Sequence, residues 1–509
     1  MEIWCRSISD SVYRHTRRRE TDANRITLHT GRNMTDAAQL LVRDAAQGFW
    51  AEVEEVTGAC AVMEVTVGAQ GYEIYNDGLP YPDLLTGKQR VYVKASTTQG
   101  FVLLVKTAPD TPCGSTNIAV RIKATRDNGD IHYMNASVTV TVHRAVIGEP
   151  KNSAFGHEYF FDLGDGSAET LIPYARAMKD LRVNSLYVNA VTLLARGGTK
   201  RTTRTTWSLD FSAFDKFVEL FLEHGSFRYL TITGSIRPVT GDAFHSIDDN
   251  GYGTNLPLFT DDADMEAAGA WAETFFGGIA EHCRERGWYE MLRFHLEDEP
   301  HTTQSWLWAR EICHRVAPGV PCMEPIDTKG IGRALGNECD IPVPRLEVYD
   351  HDAEYYTKYA EDGGEVWCYS CCFPEEPWWL NKFIDLPARY ARMIKWACFA
   401  QDITGFLHWG FNFWSPDTPY GRNPNTRFKG DGFIVYPDEE NGGVLMSNRG
   451  LATTMGIEEW ELLHKLAETD KTAAKALACR TAKTFRDFTD DPSDLDDTRA
   501  ALLTYLDMM

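Results

Sequence analysis

Three consecutive carboxylates, Glu297-Asp298-Glu299, stand between an apolar run of Met291, Leu292, Phe294 and Leu296 and the stop at Pro300. The run reads as a buried strand, so charge arrives where that strand leaves the core. Side chains alternate across a strand, and two neighbouring acids address one pocket only where the backbone twists out of the pleat. Asp298 and Glu299 are therefore a candidate catalytic pair. The plainer reading is that all three acids cap a helix starting near Thr302, whose N-terminus favours negative charge.

Paired carboxylates suit glycosidic-bond cleavage. Most retaining glycosidases use an acid/base and a separate carboxylate nucleophile about 5 Å apart on different strands. Asp350 and Glu347 are the candidates for such a partner, because Tyr369-Ser370-Cys371 and Trp409-Gly410-Phe411 carry no acid. Immediate neighbours suit instead the exception in which the substrate's own 2-acetamido oxygen attacks the anomeric carbon. One carboxylate then orients the acetamido N–H and stabilises the oxazolinium-like cation, while the other protonates the leaving oxygen. An ionised Asp298 next door helps Glu299 keep that proton near neutral pH.

The elements that must position the pair read as alternating strands and helices. Strands are expected at 157–163, 184–193, 227–235, 289–298, 320–326, 343–350, 365–371 and 405–412. Helices are expected at 168–180, 211–224, 265–286, 302–316 and 383–400. Eight units over this length predict a (β/α)8 TIM-type barrel, with the site at the C-terminal strand ends. Asp298 and Glu299 fall at the end of the fourth strand. The sixth, seventh and eighth ends place Tyr349, Tyr369, Trp409 and Trp414 as candidate sugar-stacking walls. Singly, each ring is equally explained by core packing. Asp431, in a Gly430-Asp431-Gly432 turn, is a candidate hydroxyl contact or simply part of a tight loop.

Three regions follow. Residues 1–150 carry alternating segments at 91–95, 102–105, 118–122 and 136–142 and a hairpin turn at Asp127-Asn128-Gly129-Asp130, predicting an antiparallel β-sandwich. Residues 151–446 form the barrel. Residues 447–509 form a helical extension whose Leu451, Met455, Ile457, Trp460, Leu463 and Leu466 face is expected to pack on the barrel. The acidic run 490–497 reads as a solvated linker or helix cap.

The chain has 509 residues, 43% of them hydrophobic, and a net charge of −22. That size calls for more than one core, and the charge disfavours a nucleic-acid partner. No apolar stretch approaches the ~18 residues of a membrane span, and the basic run Arg14-His15-Thr16-Arg17-Arg18-Arg19 precedes no apolar segment. Cys368 and Cys371 have CxxC spacing but no second pair, so neither a structural metal nor a cofactor is expected. The 12 cysteines suit free thiols in a cytoplasmic protein, although a shortened form of an exported one has the same look. Oligomeric state is not encoded.

Four stretches together resemble glycoside hydrolase family 123 and its relatives. They are Leu296-Glu297-Asp298-Glu299-Pro300, Trp367 to Pro374, Gly405 to Trp414, and Gly430-Asp431-Gly432 through Tyr436-Pro437; the segment Gly31 to Leu40 resembles the family's opening strand region. Gly456-Ile457-Glu458-Glu459-Trp460 keeps the family's late helix, while Asn448-Arg449-Gly450-Leu451 departs from its usual approach. The resemblance implies a sandwich followed by a barrel and a retaining β-N-acetylgalactosaminidase using substrate assistance. Asp298 is then the acetamido-orienting residue and Glu299 the acid/base, with a glycan or glycoconjugate as substrate. Two alternatives stand beside it: a glycosidase for a sugar without the acetamido group, and a non-hydrolytic glycan-binding protein on the same fold.

Overall fold

The computed structural model describes residues 1–74, 78–151, 154–159, 166–233, 262–414 and 429–509. It divides into two units, one of residues 1–153, 375–401 and 414–509, the other of residues 154–374 and 402–413.

The first unit is built on two five-stranded sheets. One runs in the order Glu2–Ser7, Thr35–Arg43, Thr98–Thr107, Met63–Ile74, Pro80–Leu85, the other Arg25–Arg32, Ile131–Val146, Gly114–Arg126, Phe49–Thr57, Arg90–Val93. Period-two alternation drives their pairing: Met134, Ala136, Val138, Val140 and Val142 are buried from one face of their strand, in a shared core with Leu40, Phe101, Leu103, Ile118 and Ile122. The Asp127–Asp130 turn closes as expected, with the Gly129 N–H donating to Arg126 O at 2.9 Å. One pairing corrects the antiparallel expectation, since Ile131–Val146 runs parallel to Arg25–Arg32.

Thr35–Arg43 is buried along its whole length. Its second face is covered by the helix Asn448–Thr481, through Ala37 and Val102 against Leu451 and Met455. That helix also packs along Arg389–Ala400, the helix between the seventh and eighth strands expected of the barrel, so it is buried nearly all round up to Leu463. Its partners thus include sandwich strands, and the segments 375–401 and 414–446 group with them, unlike the division at 150 and 446 drawn from sequence. The acidic run 490–497 begins with a cap, Asp491 accepting from the Ser493 N–H, and continues into the helix Pro492–Met508.

The second unit holds one sheet of eight parallel strands: β1 Ala154–Tyr159, β2 Ser185–Asn189, β3 Tyr229–Thr233, β4 Leu292–His295, β5 Cys322–Ile326, β6 Ile341–Pro344, β7 Trp367–Ser370 and β8 Gly405–Gly410. Neighbours run β6-β5-β4-β3-β2-β1-β8-β7, and a parallel bridge from Arg345 to Tyr369 links the two ends. β4 to β7 are short and buried on both faces, as parallel strands flanked by helices must be. Expected residues 160–163 and 234–235 lie outside the described residues. The sixth strand ends at Pro344 rather than near 350, and Leu346–His351 is helical.

Candidate active site

β4 carries the acids. Leu292 to Leu296 are buried and Glu297 to Glu299 half-buried, so the chain leaves the core at the residue where charge begins. Glu299 has φ +51°, a left-handed conformation costing a non-glycine residue about 1–2 kcal/mol. This turn is what breaks the pleat and frees two adjacent acids from opposite faces.

The three acids take three different roles. Glu297 accepts from the Ser305 hydroxyl at 2.9 Å, in the first turn of the helix Thr303–Val316, and burial raises its proton affinity. The contact is to a hydroxyl, and the helix's N-cap position is Thr302 with no side-chain cap bond, so Glu297 does not cap the helix. Asp298 keeps 28% of its side chain exposed, and its Oδ1 lies 3.9 Å from His295 Nε2. Glu299 keeps 34% exposed and accepts the hydroxyl of Tyr369. Its Oε1 also lies 3.9 Å from Arg345 Nη1.

Tyr369 sits in β7, buried, and burial together with the Glu299 charge holds its phenol well above the usual range, so it remains a donor. Arg345, just past β6, is gathered by Glu347, which it contacts directly, and by Asp327 at 3.9 Å, with its guanidinium 5.2 Å from the centre of the Phe373 ring. Arg345 therefore neutralises Glu347 and lends positive charge to Glu299.

Glu324 is the residue that sequence reading missed. It lies in β5 with its side chain 0% exposed, accepts from the Glu297 N–H at 3.0 Å and from Trp306 Nε1 at 2.7 Å, and has Oε1 3.5 Å from His295 Nε2. Burial pushes its carboxyl up to about 7, against the pull of His295 and the two N–H donors. The signal was a lone acid inside the apolar run Cys322-Met323-Glu324-Pro325-Ile326.

The remaining expected site residues separate. Tyr369 joins Glu299 directly. Trp409 is half-buried in β8, next to β7, with its ring 5.6 Å from Phe413. Tyr349 lies on the helix Leu346–His351 and not at a strand end, buried and stacked on Tyr356 at 5.7 Å. Trp414 and Asp431 belong to the first unit. There the Trp414 indole donates to Val435 O at 3.0 Å beside Leu84, Phe433, Tyr436 and Leu445, and Asp431 is fully buried. Asp350 sits half-buried on the same short helix as Tyr349. Among the described residues, no group of three or more His, Cys, Asp or Glu is placed to hold a metal ion. No described helix is long and apolar enough to cross a membrane.

Residues 198–466, which include Asp298 and Glu299, match the family model described as glycoside hydrolase 123, catalytic domain. A family 123 glycoside hydrolase from Clostridium perfringens, described in terms of glycolipid glycan hydrolysis, superposes with a TM-score of 0.74 at 13% identity, over 100% of this chain and 98% of that one. At that identity the likeness speaks to the fold. A Bacteroides ovatus GH5 xyloglucanase in complex with a heptasaccharide covers 85% of this chain and 98% of its own at 10% identity, with a TM-score of 0.35. No curated protein matches the chain.

Proposed function

The chain belongs to the glycoside hydrolase 123 family and is a glycoside hydrolase, and from that premise we propose that it releases β-linked N-acetylhexosamine, preferring N-acetylgalactosamine, with retention by substrate assistance. The observation that carries this reading is the adjacency of two half-buried acids with different partners, Asp298 beside His295 and Glu299 under Tyr369 and Arg345.

In this reading Glu299 gives its proton to the glycosidic oxygen as the bond to C1 breaks, and the 2-acetamido oxygen bonds to C1. Asp298 accepts the acetamido N–H and stabilises the oxazolinium. Glu299, now a carboxylate, takes a proton from the water that opens the ring at C1, and two inversions leave the configuration retained. Glu347 is ill-suited as a nucleophile because Arg345 engages its carboxylate. We read the eight parallel strands and the Arg345–Tyr369 bridge as a closed (β/α)8 barrel with the acids at its C-terminal end. Tyr369 and Trp409 are the proposed ring walls. The Clostridium perfringens enzyme is described as acting on glycolipid glycans, and glycoconjugates ending in β-linked N-acetylgalactosamine are the substrates proposed here.

The test is turnover of aryl β-N-acetylgalactosaminide, β-N-acetylglucosaminide and β-galactoside, with and without an oxazoline-mimicking thiazoline. Cleavage of the acetamido sugars with thiazoline inhibition is expected. Equal turnover of the plain galactoside, indifferent to the thiazoline, overturns the proposal.

A further inference from the structure

His295 Nε2 lies between two carboxylates, 3.9 Å from Asp298 Oδ1 and 3.5 Å from Glu324 Oε1. Its ring is buried at the end of β4, flanked in register by Thr233 of β3 and Met323 of β5. Glu324 is immobilised, because its other oxygen accepts both the Glu297 N–H and the Trp306 indole N–H. Only Oε1 is left to face the imidazole. Two carboxyl groups converging on one buried nitrogen favour the imidazolium there.

We infer that His295, held by Glu324, is a positioning residue that keeps Asp298 ionised and aimed for its work on the acetamido group. The inference rests on the substrate-assisted reading, which requires Asp298 to accept a hydrogen bond and face a developing cation. His295 carries its proton throughout the cycle, and the proton that reaches the leaving oxygen is that of Glu299. Among the described residues, the other charged or titratable groups near this chain of three include Glu299, next to Asp298, Glu297, which His295 also influences, and Cys339, which faces Glu324. Glu297 is tied to Ser305, and burial keeps the Cys339 thiol protonated, so neither replaces the imidazolium.

The test compares the acid limb of kcat/KM against pH for the wild-type protein, His295→Gln, and His295→Gln with Glu324→Gln, on an aryl β-N-acetylgalactosaminide. Removing the imidazolium takes away the positive charge beside Asp298, so the limb moves up by about one pH unit or more, while Glu324, already pushed up to about 7 and now without the pull of His295, stays protonated along that limb. Glu324→Gln on top of it replaces one neutral group with another, and the limb stays near the single variant's position, above the wild type. A limb that does not move in His295→Gln, or that sits at the wild-type position in the double variant, overturns the inference. Should the single variant fail to fold because Glu324 is stranded, the double variant decides the matter: a limb at the wild-type position overturns the inference. Thiazoline inhibition of the wild-type enzyme is measured alongside. Its absence overturns the substrate-assisted reading itself, whereas inhibition with an unmoved limb overturns only the role of His295.

Discussion

The phenol of Tyr369 donates its hydroxyl to a carboxylate oxygen of Glu299, 70 residues earlier in the chain, joining the end of β7 to the end of β4. The phenol is buried and well protected from ionisation, so it donates throughout the working pH range.

This bond strengthens as Glu299 gives up its proton, because the acceptor becomes a full anion. Hydrogen bonds to charged groups contribute about 1.5–3 kcal/mol. Tyr369→Phe is therefore expected to lower kcat/KM roughly tenfold or more, and to move the alkaline limb upward, since the carboxylate loses a stabilising donor. A pH profile of the folded variant checks both, and an unchanged alkaline limb contradicts the assignment.

Glu299→Gln and Asp298→Asn should each cost about 10² to 10⁴ in kcat, the range for a positioned acid or base. The two losses differ in kind. Substrates with an acidic phenol leaving group need little protonation and should recover much of the Glu299→Gln loss, but little of the Asp298→Asn loss. Rates on a series of aryl leaving groups measure the contrast.

Tyr349 and Trp409 are expected to part company on substitution. Trp409→Ala should raise KM several-fold, as loss of an aromatic contact worth about 0.5–1.5 kcal/mol does. Tyr349→Ala removes a core ring stacked on Tyr356 and should destabilise by about 3–5 kcal/mol, with KM for the remaining folded enzyme unchanged. Denaturant titration and steady-state kinetics on both variants separate the effects.

In the first unit, Glu459 is fully buried and accepts from Arg392 at 2.9 and 3.0 Å, Arg499 at 2.8 Å and Trp396 at 2.7 Å, tying three helices together. Burial alone pushes its carboxyl up, but Arg392 and Arg499 outweigh burial and hold it below the usual 4.5. A lowered folded value stabilises the protein above the unfolded value, and that contribution is lost as pH falls below 4.5 through the folded value. Glu459→Gln strands two buried guanidinium groups and should cost about 3–5 kcal/mol at neutral pH. Thermal melts at several pH values should show the deficit shrinking in acid.

Much of the site's address was legible. Charge following the apolar run to Leu296 and halted by Pro300 marks a strand end whatever the rest of the chain does. The helix Ala168–Asp180 and the ends of β7 and β8 follow from local pattern in the same way. Tyr349 was misplaced because Glu347-Val348-Tyr349 has strand-like propensity, while Pro344 closes β6 and the segment instead coils onto Tyr356. Glu324 was visible as an acid in an apolar strand, but its partners His295, Glu297 and Trp306 come from β4, the loop after it and the next helix.

The order of residues alone settled which two acids stand side by side and that they lie where a buried strand ends, because hydrophobic periodicity and proline stops act over a few neighbouring residues. Which groups set the charge on each acid was decided only by folding. Tyr369 and Arg345 reach Glu299, and Glu324 reaches the His295 beside Asp298, from other strands and loops, and contacts made across a sheet leave no mark in the spacing of residues along the chain.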